Sequence, residues 1–183
     1  VCMSVERVYV EKPVYERFVH LLRQEVEALT QALDAETTDL GSMTFPKQLE
    51  IVRDQVAEAL SGGARLVCGL PPEQWKKGQG LHVQPMILTD LSPEMKIMRE
   101  ETFGPVLCVL PFEREEEVIQ WANDSPYGLN ASVWSGDLDK ARRVADALAS
   151  GAVVINDVIV SVSNPHLPFG GVKESGIGRY HAE

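Results

Sequence analysis

The chain has 183 residues, 44% of them hydrophobic and 24% charged, which is enough for one domain or slightly more with a sizeable core. A formal net charge of −10 argues against nucleic acid and anionic membrane as partners, because both select basic surfaces. No apolar run is long enough to span a bilayer, the first residues carry no signal-peptide pattern, and three cysteines at spacings that match no metal motif fit a reducing, cytoplasmic compartment with no metal site.

In chain order, Val5 to Val10 reads as a strand, with Arg7-Val8-Tyr9-Val10 rich in β-formers. Pro13 suits the first turn of a helix, on which Val14, Phe18, Leu21, Leu22, Val26 and Leu29 form an apolar stripe. A polar loop from Asp34 to Phe45 leads to a second helix with Leu49, Val52, Val56, Ala59 and Leu60 on one face, ended by Gly62-Gly63. Ala64 to Cys68 is a strand, Leu70 to Gly80 a loop, His82 to Leu88 extended, and Pro93 to Glu100 a helical turn. Val106 to Phe112 is a buried strand, Glu115 to Asn123 a helix, Ser125 to Leu129 a turn, and Ala131 to Trp134 a strand. Asp137 to Ser150 is a helix with Leu138, Ala141, Val144, Ala145 and Leu148 facing inward. Gly151 stops it before a strand from Ala152 to Ile155, and Ser161 to Glu183 is mostly loop. Strands alternating with helices through short connections predict one α/β domain with a mainly parallel sheet and flanking helices.

Four features could carry chemistry. In Glu100-Glu101-Thr102-Phe103-Gly104-Pro105-Val106, two acids and a ring sit at the mouth of a buried strand, where α/β proteins keep ligands. A carboxylate there can accept from two sugar hydroxyls and a phenyl ring can lie against a flat heterocycle; the same residues also fit a solvated helix end with Phe103 in the core. The block from Leu167 to Tyr180 holds four glycines and is either a phosphate cradle or an irregular segment that needs glycine to turn. Cys2 lies ahead of a strand, where it is either an inert cysteine or an exposed thiolate able to attack a carbonyl carbon, whereas Cys68 and Cys108 sit in apolar runs as small hydrophobes. His20, His82, His166 and His181 share no motif, and Asp137 and Asp139 read as helix-start residues.

Taken together these residues resemble the aldehyde dehydrogenase family over essentially the whole chain. Cys2-Met3-Ser4-Val5-Glu6-Arg7 is similar to the end of its active-site motif, and Glu100 to Val106 to its Glu-Glu-x-Phe-Gly-Pro-Val block. Asn123 to Leu129 is similar to its Asn-x-x-x-Tyr-Gly-Leu block, and Pro168-Phe169-Gly170-Gly171 with Lys173, Ser175, Gly176 and Gly178 to its C-terminal block. The resemblance implies Cys2 as the nucleophile and its backbone N–H as an oxyanion donor. It implies Glu101 on the nicotinamide ribose of NAD or NADP, Phe103 beside the nicotinamide, and Phe169 and Asn156 on the substrate side. The loop from Asp157 to Leu167, with Ile159, Val160, Val162 and Leu167, resembles that of the class 3 branch acting on fatty or aromatic aldehydes, and implies an apolar aldehyde. Residues 1–183 would then be part of a catalytic domain, cut from a homo-oligomeric parent. Its coenzyme-binding domain, water-activating glutamate and oxyanion asparagine would lie upstream.

Overall fold

The computed structural model describes residues 2–31, 38–75 and 80–181. Positions 34–37 of the first expected loop and 76–79 of the second lie outside them. The chain forms two compact units, one running from Ser4 to Phe112, the other combining Cys2 and Met3 with the chain from Glu113 onward.

The first unit is a four-stranded sheet, built from β1 (Arg7–Glu11), β2 (Arg65–Cys68), β3 (Met86–Thr89) and β4 (Val106–Phe112) in the order β1-β4-β3-β2. The β1–β4 and β4–β3 pairs are parallel and only β2 runs antiparallel. Helix α1 (Lys12–Ala28) covers one face and α2 (Pro46–Ser61) the other. Alternation along β4 serves both layers: Val106, Cys108 and Leu110 pack on the α2 side, Val109 on the α1 side. A strand covered on both faces has no polar side, which is why β4 reads as a continuous apolar run. A short helix, α3 (Lys96–Arg99), precedes β4.

The α1 stripe differs from the expected one. Its buried face is Tyr15, Val19 and Val26, with Leu22 packed against them, while Val14 (52%), Phe18 (37%) and Leu21 (48%) remain exposed. The sequence stripe mixed two adjacent faces of the helix. Tyr15 decides between them, because its ring fills the sheet contact while its hydroxyl donates to the Val109 carbonyl at 3.2 Å.

The second unit contains α4 (Glu115–Asn123), β5 (Tyr127–Gly128), β6 (Asn130–Val133), α5 (Leu138–Ala147), β7 (Ala152–Ile155), α6 (Val160–Ser163) and β8 (Val172–Lys173). β6 and β7 pair in parallel, β5 and β8 antiparallel. The expected turn at Ser125–Leu129 therefore contains a short strand, and the expected C-terminal loop contains α6, β8 and a bridge between Phe169 and Tyr180. The β5–β8 pairing is long-range, so no local pattern announces it. Asp137 caps α5 by accepting from the N–H groups of Asp139 and Lys140, both at 3.0 Å. Leu138, expected inward, is 50% exposed because the cap turns this first helical residue outward. Asn123 ties the end of α4 to the segment after α5, donating to Ala147 O at 2.8 Å and accepting from Ala149 N at 2.7 Å.

Candidate active site

The loop between α3 and β4 is held on both sides. Glu101 and Phe103 point outward, while Thr102 between them is buried. Phe103 adopts a left-handed backbone with φ 45°, a conformation that costs a non-glycine residue about 1–3 kcal/mol and persists only where neighbours fix it. Three side chains fix it here. One carboxylate oxygen of Glu6 accepts from the N–H of Thr102 at 3.1 Å and of Phe103 at 2.9 Å. Gln48 Nε2 donates to the Thr102 carbonyl at 2.6 Å, and Gln55 Nε2 to the Glu101 carbonyl at 3.3 Å. Gln48 and Gln55 lie two turns apart on α2, so one helix face offers both donors. Gly104 closes the turn directly against Val52, where no Cβ fits: it would stand 2.5 Å from Val52 Cγ2.

Burial pushes the half-buried Glu6 carboxyl above its usual range; the N–H donors of Phe103 and Thr102 pull it back, and the nearby Glu101 pushes it further up. None of Glu6, Gln48 and Gln55 stood out in the sequence. A pair of glutamines seven apart within an otherwise apolar helix face was the one available signal for α2, and Glu6 had none.

Cys2 is exposed, whereas Cys68 and Cys108 are buried and burial pushes the Cys108 thiol up to about 12. Cys2, Phe169 and Asn156 belong to the second unit, Glu101 and Phe103 to the first, where they share one loop. Phe169 is buried. Its backbone pairs with Tyr180 through bonds of 2.9 and 3.0 Å, and its ring meets the Tyr180 ring edge-on at 5.3 Å. Asn156 (φ 55°) has both ends of its amide engaged with Ser135, accepting from its N–H and donating to its carbonyl, each at 2.9 Å. It thereby pins the start of the loop from Asp157 to Leu167, on which Val158, Ile159, Val160 and Leu167 are exposed. The glycine-rich block is pressed against its own chain: a Cβ on Gly170 would lie 2.5 Å from Gly178 O, and one on Gly171 2.5 Å from Ser175 Cβ. Close backbone approach, rather than a phosphate cradle, accounts for these two glycines. Among the described residues no helix is long and apolar enough to cross a membrane, and no group of three or more His, Cys, Asp or Glu side chains could hold a metal.

A family model described as the aldehyde dehydrogenase family matches residues 1–183, and the chain belongs to that family. A 4,4'-diapolycopene aldehyde oxidase from Methylomonas sp is 45% identical over 181 residues, covering 99% of this chain and 33% of that protein. The 2-aminomuconic semialdehyde dehydrogenase of Bos taurus is 37% identical over 191 residues, covering 100% of this chain and 38% of that protein. A solved structure of betaine aldehyde dehydrogenase from Staphylococcus aureus in complex with NAD+ superposes with a TM-score of 0.90 at 34% identity, covering 100% of this chain and 36% of that one. The chain thus spans about a third of the length of the relatives it matches. The mixed α/β architecture with a mainly parallel sheet agrees with the expectation from sequence.

Proposed function

We propose that residues 1–183 form part of the catalytic domain of a longer enzyme that oxidises an aldehyde to a carboxylic acid with NAD or NADP. The observation that carries this reading is the exposure of Cys2, the one cysteine that the fold leaves open, in a chain of the aldehyde dehydrogenase family. Cys2 Sγ adds to the aldehyde carbon and the carbonyl electrons move onto oxygen, giving a thiohemiacetal. The backbone N–H of Cys2 is the donor assigned to that oxygen. A nicotinamide coenzyme held at Glu101 and Phe103 would supply the acceptor for the hydride that leaves that carbon. A thioester remains on Cys2, and attack by water on its carbonyl frees the sulfur and the acid.

The Glu101–Phe103 loop fits such a coenzyme. An exposed carboxylate can accept from both hydroxyls of a ribose, and an exposed ring two residues on can lie beside a flat heterocycle. Phe169 and Asn156 are assigned to the substrate side, Asn156 through the loop it pins and Phe169 through its packing with Tyr180. The apolar residues exposed on that loop favour an apolar aldehyde.

The test is NAD(P)H formation by the longer protein carrying these residues, across a panel of aliphatic and aromatic aldehydes, beside its Cys2→Ser variant. Loss of oxidation by more than about a thousandfold in the variant is the expected result. Activity retained within about tenfold overturns Cys2 as nucleophile.

A further inference from the structure

We propose that Glu6 is a positioning residue for the Glu101–Phe103 loop, setting the direction in which the Glu101 carboxylate and the Phe103 ring face the coenzyme. This rests on the reading of that loop as a coenzyme site. Two successive N–H groups converge on one Glu6 oxygen, at 3.1 and 2.9 Å. Successive amides converge in this way where the backbone turns through a left-handed residue, making a small anion-binding nest, and Phe103 at φ 45° is that residue. The nest is filled from within the protein by a carboxylate that comes from 96 and 97 positions earlier in the chain.

The opposite, carbonyl side of the same loop is already committed to Gln48 and Gln55 on α2. Glu6 supplies the acceptor on the other side, where the N–H groups of Thr102 and Phe103 point. Gln55 and Thr102 are both buried, so the carbonyl side of the loop is packed into the protein, while Phe103 faces outward. Without Glu6 the two amides lose their partner and the left-handed residue loses one of the three side chains that hold it. The flanking outward side chains, Glu101 and Phe103, would then face a range of directions, and an ordered pair of contacts to ribose and nicotinamide would become a costly one. Burial raises the Glu6 carboxyl most, the Phe103 and Thr102 N–H groups lower it, and the nearby Glu101 raises it a little further.

Glu6 also stands four positions after Cys2 in the sequence. One short segment thus carries both the assigned nucleophile and the group that orients the coenzyme loop.

The experiment compares Glu6→Leu, Glu6→Gln and Glu101→Gln in the longer protein, reading coenzyme dissociation constant, coenzyme KM and aldehyde KM. Glu6→Leu removes the acceptor at similar volume, and is expected to weaken coenzyme about five- to thirtyfold while aldehyde KM stays within about twofold. Glu6→Gln keeps an acceptor oxygen in the same place and is expected to restore coenzyme binding to within about threefold, a rescue that a purely volumetric role would not produce differentially. Unchanged coenzyme binding in Glu6→Leu, or equal losses in the Leu and Gln variants, overturns the inference. If Glu101→Gln leaves coenzyme binding unchanged, the coenzyme reading of the loop fails and the inference with it. If Glu101→Gln weakens coenzyme and Glu6→Leu does not, only the role of Glu6 fails. Should Glu6→Leu not fold, amide exchange in the unaltered protein decides. Thr102 and Phe103 N–H slowed by more than about a hundredfold against free peptide support the anchor, and slowing of less than about tenfold overturns it.

Discussion

Gly104 is the position where the loop's geometry makes its sharpest quantitative demand. A methyl group there would lie 2.5 Å from Val52 Cγ2 and 3.3 Å from Cγ1, inside any tolerable carbon–carbon contact. Val52 cannot turn away cheaply, because a β-branched residue in a helix has one strongly preferred χ1 and this one is fully buried on α2. Gly104→Ala should therefore cost about 1–3 kcal/mol from overpacking, partly offset by about 0.4–1 kcal/mol from the stiffer unfolded chain. Val52→Ala alone removes two buried methyl groups and should cost about 2–3 kcal/mol, from about 0.8 per carbon plus the cavity left behind. The double variant puts the new methyl into the space the old ones vacate, so it should cost little more than Val52→Ala alone. The coupling, about 1–2 kcal/mol, is read from urea unfolding of the wild type, both single variants and the double variant of the chain. Because Gly104 follows Phe103, coenzyme binding by the longer protein should fall in Gly104→Ala and recover in the double variant. Additivity within about 0.5 kcal/mol would refute the contact as the reason for glycine.

Thiol labelling with a maleimide at about pH 8 should modify Cys2 in the native chain and leave Cys68 and Cys108 unmodified until denaturant is added. Mass analysis showing two or three labels before unfolding would contradict the packing of β2 and β4. Glu6 gives a pH signature of defined sign. Its folded-state pKa lies above the unfolded one, chiefly through burial, so its stabilising contribution is complete below the unfolded value and is lost as pH rises through the folded value. Glu6→Gln does not titrate, so its stability relative to wild type should improve on going from about pH 4 to pH 7. A difference that is flat or falls over that range would contradict the burial of this carboxyl.

How far the sequence is legible depends on the range of the interaction that decides each feature. The buried strand from Val106 to Phe112 and the helices α2 and α5 are readable because periodicity and end signals are local: Gly62-Gly63 after α2 and Asp137 before α5 act within a few residues of the element they bound. The face of α1 was misread because Val14, Phe18 and Leu21 are as apolar as the residues that bury. What selects among them is the reach of Tyr15 to β4, 94 positions away. Short pairings such as β5 with β8 escape for the same reason, since two residues have no period.

The candidate site divides along the same line. Glu101, Phe103 and Cys2 could be named because a run of neighbouring residues carries the family's motif, but the motif says what should face a ligand and not what holds it there. The holding groups are Glu6, Gln48 and Gln55, joined to the loop at separations of 97, 54 and 46. In the sequence they are an acid beside an arginine at a strand entrance and two glutamines on a helix, residue types that ordinarily face water. Their role exists only once the parallel pairing of β1 with β4 brings Glu6 to the base of the loop and α2 closes over its other side. A left-handed residue at Phe103 would be untenable without them. The strain that turns the ring outward and the polar groups that sustain it are therefore a single feature of the fold, of which the linear motif displays only the outward half.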